Sequence, residues 1–155
     1  MSETKKVNVD ELLAKVPTGL LINGEWVDAA DGSTFDVENP ATGEVIATLA
    51  SATSEDAKKA MDAACAVQDE WARTSTRERS ELLRRAFELV QERKDEFATL
   101  MTLEMGKPLA ESYGEVTYGS EYLRWFSEEA VRDYGRTLPA PEGSLLMITR
   151  RKPVG

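Results

Sequence analysis

The apolar residues of this chain change their spacing after Ala50, and this change constrains the fold more than any other feature. Before it, short apolar runs alternate with turn residues. Asn23-Gly24 between two such runs predicts a hairpin, because both residues tolerate a positive φ. The first fifty residues are therefore predicted to form a β meander. Its strands are expected at Leu20–Ile22, Glu25–Val27, 35–37 and 45–48.

After Ala50 the apolar residues recur at helical spacing. Thr53 followed by Asp56, and Ser75 followed by Glu78, are typical of helix N-termini. A kink is expected near Lys94. Gly106 followed by Pro108 predicts the end of this helical region, because glycine is favoured just past a helix and proline beyond it. A third helix is expected from Glu115 to Tyr134 and is closed by Gly135.

A strand is predicted from Leu145 to Arg150, after a turn-rich break. Its apolar residues fall on both faces, so we expect other packed segments to cover the strand on both sides. Together with the meander and the helices, this strand makes the predicted fold class α/β. Residues 1–17 are expected to be a loosely held arm, with a helical turn around Asp10 to Lys15.

Charge and composition restrict the partners. The 155 residues suit about one domain. The net charge of -9 disfavours nucleic acid and anionic membrane surfaces, since like charges repel. Residues 1–15 lack an apolar run, so neither a signal peptide nor a membrane anchor is predicted. Cys65 is the only cysteine, which fits a reducing compartment, and we expect a cytoplasmic protein.

No catalytic, cofactor-binding or metal-binding residue is predicted. The chain has no histidine, the commonest general base and metal ligand. Cys65 lies among alanines beside the apolar stripe of a helix and is interpreted as a structural thiol. Gly114 and Gly119 have the spacing of a phosphate loop, but Ser120 stands where that loop needs lysine. No Gly-x-Gly-x-x-Gly pattern occurs.

Tyr118, Tyr122 and Trp125 form an aromatic cluster on the third helix, a quarter to a third of a turn from an aliphatic face. Two interpretations are open. The aromatics widen a core stripe, or they line a ligand channel or a subunit contact, where aromatic rings with polar tips are common. The aliphatic face consists of Val116, Leu123, Phe126 and Ala130.

Several sequence strings resemble the N-terminal third of NAD(P)-dependent aldehyde dehydrogenases, most closely the succinate-semialdehyde dehydrogenase branch. They are LINGEWV at 21–27, NPATGE at 39–44, LEMGKPLAE at 103–111, YLRWFSEE at 122–129, YGRTLP at 134–139 and RKPVG at 151–155.

The resemblance implies oxidation of a small semialdehyde to its acid by a cysteine nucleophile and NAD or NADP. The family's catalytic cysteine, glutamate, Pro-Trp-Asn motif and cofactor glycine loop have no counterpart here. The chain alone is therefore expected to be inactive and to bind no cofactor. An alternative is a non-enzymatic module that associates with subunits or binds a partner through its helices.

The resemblance also assigns the parts of the chain to family domains. Residues 18–138 are expected in the cofactor-binding domain. Residues 139–155 are expected to begin the oligomerisation strand and lead into the cofactor core. The strand from Leu145 to Arg150 would then pair with another subunit in a homo-oligomer. The third helix would border the substrate tunnel, with Tyr118, Tyr122 and Trp125 as channel residues.

Overall fold

The computed structural model describes residues 7–152, which form helices and short strands in a mixed α/β arrangement, as predicted. The helices are α1 (Val9–Leu13), α2 (Ser54–Arg73), α3 (Thr76–Glu92), α4 (Lys94–Met105) and α5 (Leu109–Glu129). The strands are β1 (Leu20–Ile22), β2 (Glu25–Val27), β3 (Thr34–Glu38), β4 (Val45–Ala50), β5 (Arg136–Pro139) and β6 (Leu146–Thr149).

The strands pair as three separate antiparallel hairpins, β1 with β2, β3 with β4 and β5 with β6. The first four lie where the sequence predicts strands. They form two hairpins and not one continuous sheet, because β2 and β3 are not hydrogen-bonded to each other. The first turn contains Asn23 and Gly24 with φ of 52° and 82°, the positive values expected for this pair.

Asp56 connects the β region to the first long helix. The side chain of Thr53 accepts a hydrogen bond from the backbone N–H of Asp56, and the Asp56 carboxylate accepts one from the Thr53 N–H, which completes the predicted capping box. The same carboxylate accepts the backbone N–H of Ala30 at 3.1 Å. These hydrogen bonds, that from the Thr53 N–H foremost, lower the pKa of Asp56.

The helical region has the expected break and end in its first part, but the bounds of its last helix differ from the prediction. Arg93 separates α3 from α4, close to the expected kink, and Gly106 ends α4 with a left-handed φ of 69°. The predicted span from Glu115 to Tyr134 for the third helix is wrong at both ends. The helix begins six residues earlier, directly after Pro108, because the fixed φ of proline suits a helix N-terminus.

Gly135 does not close this helix, which ends at Glu129. It lies instead at the entry of the β5–β6 hairpin, where its backbone approaches Thr149 so closely that a Cβ would stand 1.8 Å from the Thr149 carbonyl oxygen. Glycine is needed there to let two strands meet. Strand β5 itself was not predicted, because Arg136–Pro139 has no alternating apolar residues and Gly135 before it was interpreted as the end of a helix.

The N-terminal arm is better held than expected. Asn8 caps α1 by accepting the backbone N–H groups of Asp10 and Glu11, and Leu12 is only 3% exposed. This leucine lies in a concave surface shared with Arg93 at the α3–α4 junction. Residues 1–6 of the predicted arm, and residues 153–155 of the predicted lead-in, lie outside the described residues.

Much apolar surface is left uncovered. The chain has a solvent-accessible surface of 11936 Å², whereas a compact monomer of this size has about 7,800 Å². Every residue of β6 is exposed, so no described residue covers the two apolar faces that the sequence predicted. Within residues 7–152, no helix is both long and apolar enough to cross a membrane.

Candidate functional site

Helix α5 is attached to the rest of the chain through a face of small residues. Ser112, Val116, Ser120 and Ser127 are its buried residues, and they lie on one side of the helix at spacings of four, four and seven. The prediction that Phe126 belongs to the core face is wrong, because this ring is more than half exposed. Serine side chains allow α5 to pack close to α3 and α4, whereas large apolar residues would hold it away.

Each buried serine hydroxyl is hydrogen-bonded, which offsets the cost of removing it from water. Ser112 Oγ lies 2.8 Å from Thr102 Oγ1 of α4, and Ser120 Oγ accepts Gln91 Nε2 of α3 at 2.6 Å. The Ser127 hydroxyl donates to the Arg124 carbonyl of its own helix. Two of these bonds therefore fix α5 to neighbouring helices.

The opposite face of α5 presents the aromatic cluster to solvent. Tyr118, Tyr122 and Trp125 are 67%, 50% and 63% exposed. At 100° per residue, Tyr118 and Tyr122 each point about 160° away from Ser120, and Trp125 aligns with Tyr118 to about 20°. The residues singled out in the sequence thus share one face, and the packing of α5 turns that face outward.

The two tyrosines form a hydrogen-bonded pair. Their hydroxyl oxygens are 2.6 Å apart, and their rings meet edge to face with centroids 5.3 Å apart. Such T-shaped contacts are favourable because the positive edge of one ring faces the negative face of the other. The hydrogen bond with Tyr118 raises the pKa of Tyr122 above its usual value.

Two concave surfaces adjoin the aromatic cluster. A depression of about 350 Å³ is lined by Tyr118, Glu121, Tyr122, Trp125 and Phe126. A larger groove of about 840 Å³ lies beyond Trp125 and Phe126, which line both. The walls of this groove are mainly apolar side chains of α2, α3 and α5 with arginines among them, including Trp71, Arg79, Leu82, Leu83 and Arg132.

Charged groups near the cluster are largely paired. Arg124 lies 3.6 Å from Glu121 and 3.8 Å from Glu128 on the same helix. Among residues 7–152, no group of three or more carboxylate or thiol side chains is placed to hold a metal ion. The Cys65 thiol is exposed on α2, which corrects its interpretation as a structural thiol beside a packed stripe.

The aldehyde dehydrogenase family model matches residues 26–155. The chain belongs to the aldehyde dehydrogenase family. This confirms the resemblance. The chain spans about a quarter of the length of the curated relatives it matches.

The relatives include semialdehyde dehydrogenases. The succinate-semialdehyde dehydrogenase of Paenarthrobacter nicotinovorans is 66% identical over 111 residues, covering 72% of this chain and 25% of that protein. The glutarate-semialdehyde dehydrogenase of Pseudomonas putida strain KT2440 is 46% identical over 134 residues, covering 86% and 28%. The match therefore concerns one segment of aldehyde dehydrogenases.

The fold agrees with solved members of the family. The betaine aldehyde dehydrogenase of Staphylococcus aureus, solved in complex with NAD⁺, superposes with a TM-score of 0.81 at 33% identity. The match covers 86% of this chain and 27% of that one. The described residues thus form part of an aldehyde dehydrogenase fold.

Proposed function

We propose that this segment belongs to an NAD(P)-dependent dehydrogenase that oxidises a small semialdehyde, succinate semialdehyde first, to its carboxylic acid. The identity of 66% to a succinate-semialdehyde dehydrogenase carries this proposal. In it, residues 18–138 are the N-terminal part of the cofactor-binding domain, and residues 139–155 begin the oligomerisation strand. No residue of the segment is assigned to the cofactor, since neither phosphate-binding glycine pattern occurs. The single cysteine supports a cytoplasmic location.

Helix α5 is proposed to form one wall of the substrate channel, with Tyr118, Tyr122 and Trp125 facing the aldehyde. The support is geometric: the three side chains share the exposed face of a helix whose other face is fixed by Ser112 and Ser120. A wall built on a helix attached in this way holds its rings in place. Ring positions then determine which aldehydes fit.

A chimera tests the channel role. Residues 20–152 would replace the matching segment of the Paenarthrobacter dehydrogenase, and Tyr118→Ala would be compared with the unsubstituted chimera. We expect the ratio of kcat/KM between succinate semialdehyde and a bulkier aldehyde to change, with the KM for the nicotinamide cofactor unchanged. A changed cofactor KM with an unchanged aldehyde preference contradicts the channel role.

The hairpin of β5 and β6 is proposed to join a sheet of a second subunit through the strand from Leu145 to Arg150. Leu145, Leu146 and Ile148 are each about two-thirds exposed or more, and one edge of β6 has no described partner strand. An unpaired edge with apolar faces favours pairing with another chain. Ultracentrifugation of the chimera and of an Ile148→Lys variant tests this, since loss of assembly is expected only in the variant.

The chain alone is proposed to be inactive. Cys65 has no histidine anywhere in the sequence to activate it. Purified chain is expected to produce no reduced cofactor from succinate semialdehyde with NAD or NADP. Reduced cofactor formed in proportion to this protein would contradict the proposal.

The second candidate function is a non-enzymatic module that associates with complete subunits. The total accessible surface is about 4,000 Å² larger than that of a compact monomer, and together with the exposed apolar side chains of β6 this favours a partner-binding piece. Mixing the purified chain with the Paenarthrobacter dehydrogenase discriminates the two. Co-elution that changes neither the activity nor the assembly of the dehydrogenase favours the module, whereas no association favours a segment of an enzyme.

A further inference from the structure

The exposed face of α5 carries carboxylates as well as aromatic rings. At 100° per residue, Glu115 points about 20° from Tyr122 and about 60° from Tyr118, which lies one turn further along the helix. The Glu115 side chain is 52% exposed. It therefore extends the aromatic face toward the start of α5. An unpaired negative charge at this position would act on any charged ligand that lies against the rings.

The ammonium group of Lys107 neutralises the Glu115 carboxylate. It donates to Glu115 Oε1 from the loop between α4 and α5, eight residues away in the sequence. The Lys107 side chain is only 15% exposed, whereas Arg124 and Arg132, which pair with other carboxylates of α5, are 57% and 48% exposed. Because Lys107 is largely removed from water, solvent and salt screen its ion pair less than they screen these surface pairs.

The backbone on both sides of Lys107 is held in place. Gly106 ends α4 with a φ of 69°, and a Cβ on this residue would stand 2.9 Å from Pro40 Cγ, so the loop packs tightly there. On the other side, the ring of Pro108 fixes its φ, which is -60°, and α5 follows directly. Lys107 therefore approaches Glu115 from a fixed position in the loop.

The other carboxylates of this face are also compensated. Glu121 lies 3.6 Å from Arg124, and Glu129 lies 2.8 Å from Arg132. Glu111 is in the first turn of α5, where the positive end of the helix dipole stabilises a negative charge. Pairing thus keeps this face close to neutral, although the whole chain has a net charge of -9.

We propose that Lys107 is a positioning residue that sets the charge preference of the substrate channel by neutralising Glu115. This inference rests on the proposed channel role of α5. With the ion pair intact, the wall neither repels an anionic aldehyde such as succinate semialdehyde nor attracts a cationic one. Without Lys107, the freed Glu115 carboxylate does both. Lys107 itself contacts no substrate in this proposal and acts only through Glu115.

A series of charge variants of the chimera described above tests this role. Lys107→Met frees the Glu115 carboxylate, Glu115→Gln frees the Lys107 ammonium group, and the double variant frees neither. Each variant is assayed with anionic succinate semialdehyde, neutral butanal and betaine aldehyde, whose quaternary ammonium group is cationic. A unit charge about 10 Å from a charged ligand changes its binding about twofold to fifteenfold, depending on the effective dielectric constant.

We expect Lys107→Met to lower kcat/KM for succinate semialdehyde about fivefold and to raise it for betaine aldehyde about fivefold, with butanal changed less than about twofold. Glu115→Gln should shift the two charged aldehydes in the opposite directions. The double variant should return to the preference of the unsubstituted chimera. Lys58→Met is the matched control, because it also frees a carboxylate, that of Asp62, but on α2, and it should leave the preference unchanged.

The outcomes separate this inference from the channel role. If Lys107→Met changes all three aldehydes equally or none of them, or if the double variant behaves like Lys107→Met, the inference is wrong, while a changed preference in Tyr118→Ala still supports the channel. If Tyr118→Ala leaves the preference unchanged, the channel role fails and the inference fails with it.

Should the chimera turn over none of the aldehydes, NMR of the purified chain labelled with ¹³C at tyrosine Cζ decides. The probe is the tetramethylammonium ion, which the freed Glu115 carboxylate should attract to the neighbouring rings. We expect it to shift the Tyr118 and Tyr122 resonances further in Lys107→Met than in the unsubstituted chain. Equal shifts in the two proteins overturn the inference.

Discussion

One side-chain hydrogen bond joins α3 to α5 among residues 7–152, and a single substitution removes it. The same substitution also removes the donation from the Ser120 hydroxyl to the Thr117 carbonyl of its own helix. Gln91 Nε2 donates to Ser120 Oγ at 2.6 Å, and Ser120 is 3% exposed. Ser120→Ala changes the side-chain volume little but leaves the Gln91 amide beside a methyl group. A half-buried donor without an acceptor costs about 1–3 kcal/mol. We expect a loss of about 2 kcal/mol in the free energy of unfolding.

Urea unfolding measures this loss. With a slope of about 2 kcal/mol per molar urea, a loss of about 2 kcal/mol lowers the midpoint by about 1 M. Far-ultraviolet circular dichroism and tryptophan fluorescence should give coincident transitions, which validates the two-state analysis. Ser127→Ala is the matched control, because this buried hydroxyl bonds only to the Arg124 carbonyl of its own helix. The urea midpoint of Ser127→Ala should fall by less than half as much as the midpoint of Ser120→Ala.

A double variant separates the hydrogen bond from the loss of the serine itself. Gln91→Leu combined with Ser120→Ala removes both partners, so no buried polar group is left unpaired, and the double variant should be more stable than Ser120→Ala alone. Equal midpoint shifts for Ser120→Ala and Ser127→Ala would refute the reasoning. The reasoning would also be refuted if the double variant were no more stable than Ser120→Ala alone.

Three further predictions concern the β regions. Asp56, whose folded pKa is lowered, stabilises the chain above its unfolded pKa of 3.8, and this stabilisation is lost as the pH falls through the lower folded value. The urea midpoint of Asp56→Asn should therefore change less than that of the wild type between about pH 5 and pH 2. Gly135→Ala should disrupt the β5–β6 hairpin, seen as lost amide protection by hydrogen exchange, because its Cβ would overlap the Thr149 carbonyl. Ile148→Lys, at a side chain 72% exposed, should reduce self-association of the purified chain in sedimentation velocity, and an unchanged distribution would count against an edge-strand contact.

The first four strands and the starts of α2 and α3 could be predicted because their signals are local. Asn23-Gly24 determines its own turn, and Thr53 with Asp56 caps its own helix, so neither needs information from distant residues. The contact of Asp56 with Ala30 is different, since 26 residues separate them. Nothing in the spacing of the capping box indicates a third hydrogen bond to a preceding loop.

The predicted core face of α5 was partly wrong because helix faces were identified from large apolar residues alone. In this helix the packed face is mostly serine, and the large rings lie on the other side. The signal was present in the sequence, as Ser112, Val116 and Ser120 recur every four residues. Small residues at this spacing indicate close helix packing, provided that each hydroxyl finds a partner, and here Thr102 and Gln91 supply them.

The arrangement of serines on the packed face of α5 and aromatic rings on its exposed face connects the fold to the proposed function. A helix whose aromatic residues all faced a core would have none left for a ligand, whereas α5 is attached through serines and keeps Tyr118, Tyr122 and Trp125 free. The attachment is specific because hydrogen bonds such as Gln91–Ser120 fix the rotation of the helix about its axis. A rotation of one residue, about 100°, would turn Tyr118, Tyr122 and Trp125 together away from the direction in which they now point. The serine face therefore determines where the aromatic face points, and in the chimera weakening it should alter aldehyde preference before it unfolds the protein.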